Sequence, residues 1–168
     1  MAELKEIHVQ PDAFRVAQES VLLVCELRSA MAVSVYDDTQ AVGGLLHLRY
    51  VATSNDQPLD LTDNTLSSDL LLMDRFCKEL RAAGARKHSW QVRIFGHLPE
   101  TPGMEAPAAT VTDLVKAYFA DSRRAVESKE VRRPAGVTLR LHARDGHVWI
   151  SNLQDAPATL GSLAPLEA

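Results

Sequence analysis

A chain of 168 residues with 46% hydrophobic content has the length and apolar mass of one domain. No apolar run approaches the ~20 residues that a membrane helix needs. A net charge of −4 with a pI near 5.8 removes the electrostatic footprint of a general nucleic-acid binder, so proteins or small molecules are the expected partners.

Taken in chain order, Met1 to Glu6 holds no apolar signal core, which predicts a cytosolic protein. Glu6 to Gln10 alternates as a short strand, and Pro11-Asp12 turns it. Leu23, Cys25 and Leu27, then Met31, Val33 and Val35, then Leu46, Leu48 and Tyr50 alternate as three half-buried strands. Thr53 to Asn64 is polar, contains Pro58 and is expected as a loop leaving the third strand. A helix opens near Ser67 or Ser68 with Asp69 in its first turn; Leu66, Leu70, Met73, Cys77 and Leu80 form its apolar stripe, and Gly84 sits at its C-cap. Trp90, Val92 and Ile94 make the next strand, and the Pro-rich stretch from Gly96 to Pro107 is expected as a long loop.

A second helix is expected from about Ala109 or Thr112 to Ala120, burying Val111, Leu114, Val115, Tyr118 and Phe119. Glu127 to Arg132 is polar on both faces, like an edge strand, so the nearby Arg123, Arg124, Lys129, Arg132 and Arg133 read as a solvated edge. Val137, Leu139, Leu141, Val148 and Ile150 flank Asp145-Gly146 as a hairpin. From Ala156 the apolar residues lose periodicity. These elements predict a single α+β domain over 1–155, mixed sheets with two main helices on one side, and a loosely attached tail over 156–168.

The candidate site lies in the second and third strands. If Asp38-Thr39 is a two-residue loop, Ala30 stands across from His47 with Cβ atoms roughly 5 Å apart. The pattern Leu27-x-Ser29-x-Met31-Ala32-Val33, with Asp37, Gly44-x-x-His47 and the interval from Ala30 to His47, resembles the chemoreceptor glutamine deamidases, the CheD family. The helix ending in Glu79-Leu80-Arg81-Ala82-Ala83-Gly84-Ala85, the strand Gln91 to Phe95 and the terminal hairpin fall where that family puts a helix, a strand and a hairpin. The implied fold is an α/β/β sandwich.

Carried over residue by residue, the resemblance puts the nucleophilic Cys at Ala30, the catalytic base at His47 and a Thr at Val24; only the histidine is retained. The family's Gly before Ser-Cys is Arg28, and its Gly-Gly-Ala after the central strand is Gly96-His97-Leu98. Acyl transfer through a thiolate needs a nucleophile that an alanine methyl does not supply. Alternation turns Ser29 away from Ala30, and Cys25 away from His47, so neither replaces it.

The function expected is therefore a catalytically silent, CheD-like binding module in chemotaxis, whose partner the resemblance implies to be a chemoreceptor cytoplasmic domain or a CheC-type phosphatase. Arg28, Ser29, Ala30 and His47 would floor its surface, with Thr53 to Asn64 and Gly96 to Pro107 as the rim. The alternative is an active protein-glutamine glutaminase using another nucleophile, or one whose Cys has been replaced at position 30. His8, His88, His97, His142 and His147 make no ligand-spaced cluster, and in the hairpin register expected His142 and His147 are not opposed; no metal or cofactor is expected. Cys25 and Cys77 read as buried thiols without a disulfide.

Overall fold

The computed structural model describes residues 4–50, 64–100 and 102–153. Its elements are β1 (Lys5–His8), β2 (Ala13–Ala17), β3 (Val21–Leu27), β4 (Ala30–Asp37), β5 (Val42–Arg49), α1 (Asn64–Ala82), β6 (Trp90–Leu98), α2 (Glu105–Tyr118), β7 (Glu127–Arg132), β8 (Val137–His142) and β9 (Val148–Asn152). One sheet has the order β1-β3-β8-β9 and the other β2-β5-β4-β6-β7, each mixing parallel and antiparallel pairs. Both helices cover one face of the five-stranded sheet, and the four-stranded sheet packs on the other, so the fold is an α/β/β sandwich.

Side-chain parity in β4 explains the layering. Met31, Val33 and Val35 point at the helices and join Met73, Phe76, Leu80, Val111 and Val115 in one core. Ala30, Ala32 and Ser34 face the other sheet, where small side chains let the two sheets approach, and the alanines join Leu45, Leu139 and Leu141 in a second core. Residues facing either core are withdrawn from water, and each large aliphatic side chain contributes roughly 1.5–3 kcal/mol.

Helix α1 ends in a Schellman motif at the expected glycine. Gly84 has φ +103°, its N–H donates to Arg81 O at 3.0 Å, and the Ala85 N–H donates to Leu80 O at 2.9 Å. Its start is earlier than the serines suggest, at Asn64, so Asp69 is not in the first turn but buried in the body of the helix.

Three loop expectations are corrected. Gly96 to Pro107 is not one loop: β6 runs on to Leu98 because β4 and β7 both pair with it, Ala30 with His97 and Leu98 with Arg132. Helix α2 then begins at Glu105, with Pro107 in its first turn, where a missing N–H leaves no intrahelical bond unmade. Turn residues 38–41 make a four-residue connection, not a two-residue one, because the Asp37 carboxylate accepts the Thr39 N–H at 2.9 Å and Ala41 takes φ +52°. In the β8–β9 hairpin, likewise, residues 143–146 form the connection, and the His142 N–H donates to His147 O at 2.8 Å, so these two histidines are opposed after all.

Strand β2, not separated from its neighbours by sequence pattern, edges the five-stranded sheet beside β5. Edge strand β7 sits where Glu127 to Arg132 was read. The expected loop over Thr53 to Asn64 lies outside the described residues up to Asn64, which opens α1, and the tail over 156–168 lies wholly outside them.

Candidate functional site

Strand β3 belongs to one sheet and β4 to the other, and only Arg28 and Ser29 connect them. So tight a corner needs a left-handed residue, and Ser29 takes φ +49°. Gly136 underlies the corner: a Cβ there would come within 2.6 Å of Leu27 O, so a larger residue would push the corner outward. The Ser29 backbone is held on both sides, its N–H donating to His97 Nδ1 at 3.0 Å and its carbonyl accepting from the Tyr50 N–H at 3.1 Å.

Beside this corner opens a cleft of about 470 Å³, lined by residues 8–11 of the chain, by Val24, Cys25 and Glu26, and by Arg28, Ala30, His47 and Arg49. Val24, Arg28, Ala30 and His47 all border this cleft, Val24 with its side chain packed against Leu22 and Trp149, whereas Ser29 serves through its backbone and is not in the lining. The strand register differs from the expected one: Ala30 pairs with Arg49 and Ala32 with His47. Ala30 and His47 still share a face of the sheet, as diagonal neighbours and not directly opposed, a consequence of the two extra residues in the turn.

Side-chain parity in β3 is the reverse of that expected. Cys25 faces the space between the sheets, in the cluster that holds Ala30 and Ala32, while Val24 packs outward with Leu22 and Trp149. Burial, not direction, sets Cys25 apart from a reactive thiol: it is 1% exposed, and desolvation, with Glu26 adding to it, pushes its thiol far above the ordinary range.

His47 is 2% exposed, and its Nδ1 lies 3.2 Å from Val9 O. A carbonyl only accepts, so Nδ1 carries the proton and Nε2 keeps the lone pair. Burial holds the imidazole below its ordinary pKa, and Arg49 adds to this against the opposing effects of the Val9 carbonyl and Asp12. A neutral imidazole whose Nε2 is its acceptor nitrogen therefore lines the cleft, yet the side chain beside it at position 30 is a methyl group. Arg49 closes one wall through Nε to Asp12 Oδ2 at 2.9 Å, and Asp12 is tied back by its N–H to His47 O at 2.8 Å.

Sequence reasoning set His97 aside as an isolated histidine. It is 2% exposed and braces the corner, Nδ1 accepting from Ser29 and Nε2–H donating to Arg133 O at 2.7 Å. Its parity with Phe95, one strand over from Ala30, would have found it had β6 been extended past Gly96. Among the described residues no group of three or more His, Cys, Asp or Glu side chains is placed to hold a metal ion, and no helix is long and apolar enough to cross a membrane.

Fold and cleft together define an α+β domain of two stacked sheets and a helical layer, with a buried imidazole near one of the corners at which the chain changes sheets. In sequence, the chain is 23% identical over 152 residues to a Burkholderia thailandensis protein named "Probable chemoreceptor glutamine deamidase CheD 1". The match covers 88% of this chain and 64% of that protein, so the chain spans less than two thirds of its relative's length. No family model matches the chain.

Proposed function

We propose that this chain is a catalytically silent relative of the chemoreceptor glutamine deamidases that keeps the cleft for binding, in chemotaxis, to the cytoplasmic helices of a chemoreceptor or to a CheC-type phosphatase. One observation supports silence above the others: Ala30, where the family resemblance puts a cysteine, presents a methyl group to the cleft that His47 floors. Losing a nucleophile costs on the order of a millionfold in well-studied hydrolases. Arg28, exposed at the corner, stands where the family has glycine and adds a cation at the mouth.

Pull-down with a receptor cytoplasmic fragment and, separately, with a CheC-type phosphatase tests the binding. Retention of one of them, lost on Arg28→Glu, is the expected outcome. Retention of neither contradicts the chemotactic role and leaves the sandwich as a scaffold used elsewhere.

A second reading is an active glutaminase with Cys25 in the nucleophile's place, favoured by the presence of Cys25 and His47 in one cleft lining. Its burial argues against it. Ammonia release that disappears in Cys25→Ser would establish that reading.

A further inference from the structure

Far from the cleft, at the other end of β3, three side chains meet in a line. Ser20 Oγ lies 3.0 Å from His142 Nε2, and His142 Nδ1 lies 2.7 Å from Asp145 Oδ2. The antiparallel pairing of β3 with β8 sets Leu22 against His142 and so brings Ser20, just before β3, to the imidazole. Residues 143–146 bring Asp145 back under the ring, and the carboxylate is fixed by a second oxygen, Oδ1, which accepts the His147 N–H at 2.9 Å.

Hydrogen-bond polarity follows from the groups themselves. An ionised carboxylate only accepts, so Nδ1–H of His142 donates to Asp145, and Nε2 is left to accept from the Ser20 hydroxyl. Burial pushes the Asp145 carboxyl up, but the His147 N–H and the two imidazoles outweigh it and hold the group below its ordinary pKa, as the arrangement requires. His147 Nδ1 also reaches Asp145 Oδ2, at 3.1 Å, but its ring is 63% exposed and lies beside Trp149 with centroids 5.7 Å apart; the His142 side chain is 13% exposed. Only His142 is both sheltered and in contact with a hydroxyl.

We infer that Ser20, His142 and Asp145 form a second site, an acyl-transfer triad in which Ser20 is the nucleophile, His142 the base and Asp145 the positioning residue, with small activated esters as its substrate class. The Ser20 oxygen attacks the ester carbonyl as its proton passes to His142 Nε2. The carbonyl–alkoxide bond breaks, and the leaving oxygen takes that proton. Water then attacks the acyl-serine, giving one proton to Nε2, and the serine oxygen leaves with it, so a carboxylic acid and an alcohol are released and the site is restored. Ser20 is exposed, at a strand end and not within a deep cleft, which suits a small ester with a good leaving group over a peptide amide.

The test is covalent labelling of the full chain by a fluorophosphonate, read by intact mass and peptide mapping, together with p-nitrophenyl acetate turnover. One adduct at Ser20 is expected, absent in Ser20→Ala and slowed by roughly 100-fold in His142→Gln, the low end of what a positioned base supplies. Asp145→Asn should lower kcat for the ester with KM unchanged, a split that a merely structural role in the hairpin would not produce. No adduct on the wild-type chain, or an adduct that survives Ser20→Ala, overturns the assignment; neither result bears on partner binding at the cleft.

Discussion

At the residue scale, two buried groups give the chain opposite pH dependences. His47 is neutral when folded because burial holds its pKa below the ordinary value, so the unfolded chain takes up a proton that the folded chain refuses. Its contribution is therefore intact above about pH 6.5 and is lost as pH falls from there toward the folded value. Asp69 works the other way. It is 5% exposed, its Oδ2 has no hydrogen-bond partner among the described residues, and burial, aided by Asp12, raises its carboxyl from the ordinary 3.8 to about 6. Keeping it charged at neutral pH costs on the order of 3 kcal/mol, a cost that grows between about pH 4 and 6.

Urea unfolding at several pH values separates the two. Asp69→Asn should raise the midpoint at pH 7.5 and leave it nearly unchanged at pH 4.5. His47→Gln should flatten the wild-type loss of stability below pH 6.5. An Asp69→Asn midpoint lower than wild type at pH 7.5 would mean that the carboxylate has a partner which stabilises its charge. For the thiols, Cys25 and Cys77, both buried, should react with a disulfide reagent slowly when folded and quickly in denaturant. Prompt labelling of folded Cys25 would return it to candidacy as a nucleophile.

At the element scale, the turn after β4 decides the geometry of the cleft. Asp37, buried at the end of β4, accepts from the Thr39 N–H and hydroxyl, from the Arg86 N–H at 2.7 Å and from Ser89 Oγ at 2.9 Å, tying the turn to the segment between α1 and β6. Burial pushes its carboxyl up, but these donors prevail and hold it below the ordinary value, so its contribution is present above about pH 4 and lost as pH falls through the folded value. Asp37→Ala strands several donors, and a loss of roughly 3 kcal/mol in unfolding free energy is expected at pH 7, shrinking in acid. A loss under ~0.5 kcal/mol would mean that water replaces the carboxylate without penalty.

The same turn marks where sequence pattern stopped short. Alternation identified β3, β4 and β5, and the Gly84 cap and the Asp145-Gly146 hairpin were legible because glycine at positive φ has a local cause. Register was not legible, since the length of the 38–41 turn is set by Asp37 reaching Thr39. The extension of β6 through His97 was hidden for a related reason: pairing with β4 and β7 overrides a stretch whose Gly and Pro content reads as a loop. In β3 both parities carry apolar residues, so the direction of Cys25 was decided by the packing of two sheets, beyond the reach of a period-2 pattern.

Parity also bears on restoring chemistry. Ala30→Cys would put a thiol into the cleft lining with His47, but Val24 points outward to Leu22 and Trp149. Adding Val24→Thr should leave the deamidation rate of Ala30→Cys unchanged, while Arg28→Gly, which clears the mouth, should raise it. A gain from Val24→Thr would show that β3 turns in solution so that position 24 faces the imidazole.

At the scale of the whole molecule, the described chain passes between the sheets four times, and the cleft lies beside two of these passages, residues 8–11 and Arg28-Ser29. Its lining carries Arg28 and Arg49 with Glu26, and His47 and the Ala30 methyl group lie together in it, the arrangement on which the proposal of a binding cleft without catalysis rests. The measurement that bears most directly on this is ammonia release from a glutamine-bearing chemoreceptor cytoplasmic fragment by the purified chain, with His47→Ala alongside. Release indistinguishable from the fragment alone, for both proteins, is the predicted result; release above that background which His47→Ala abolishes would contradict the account and make the chain an enzyme.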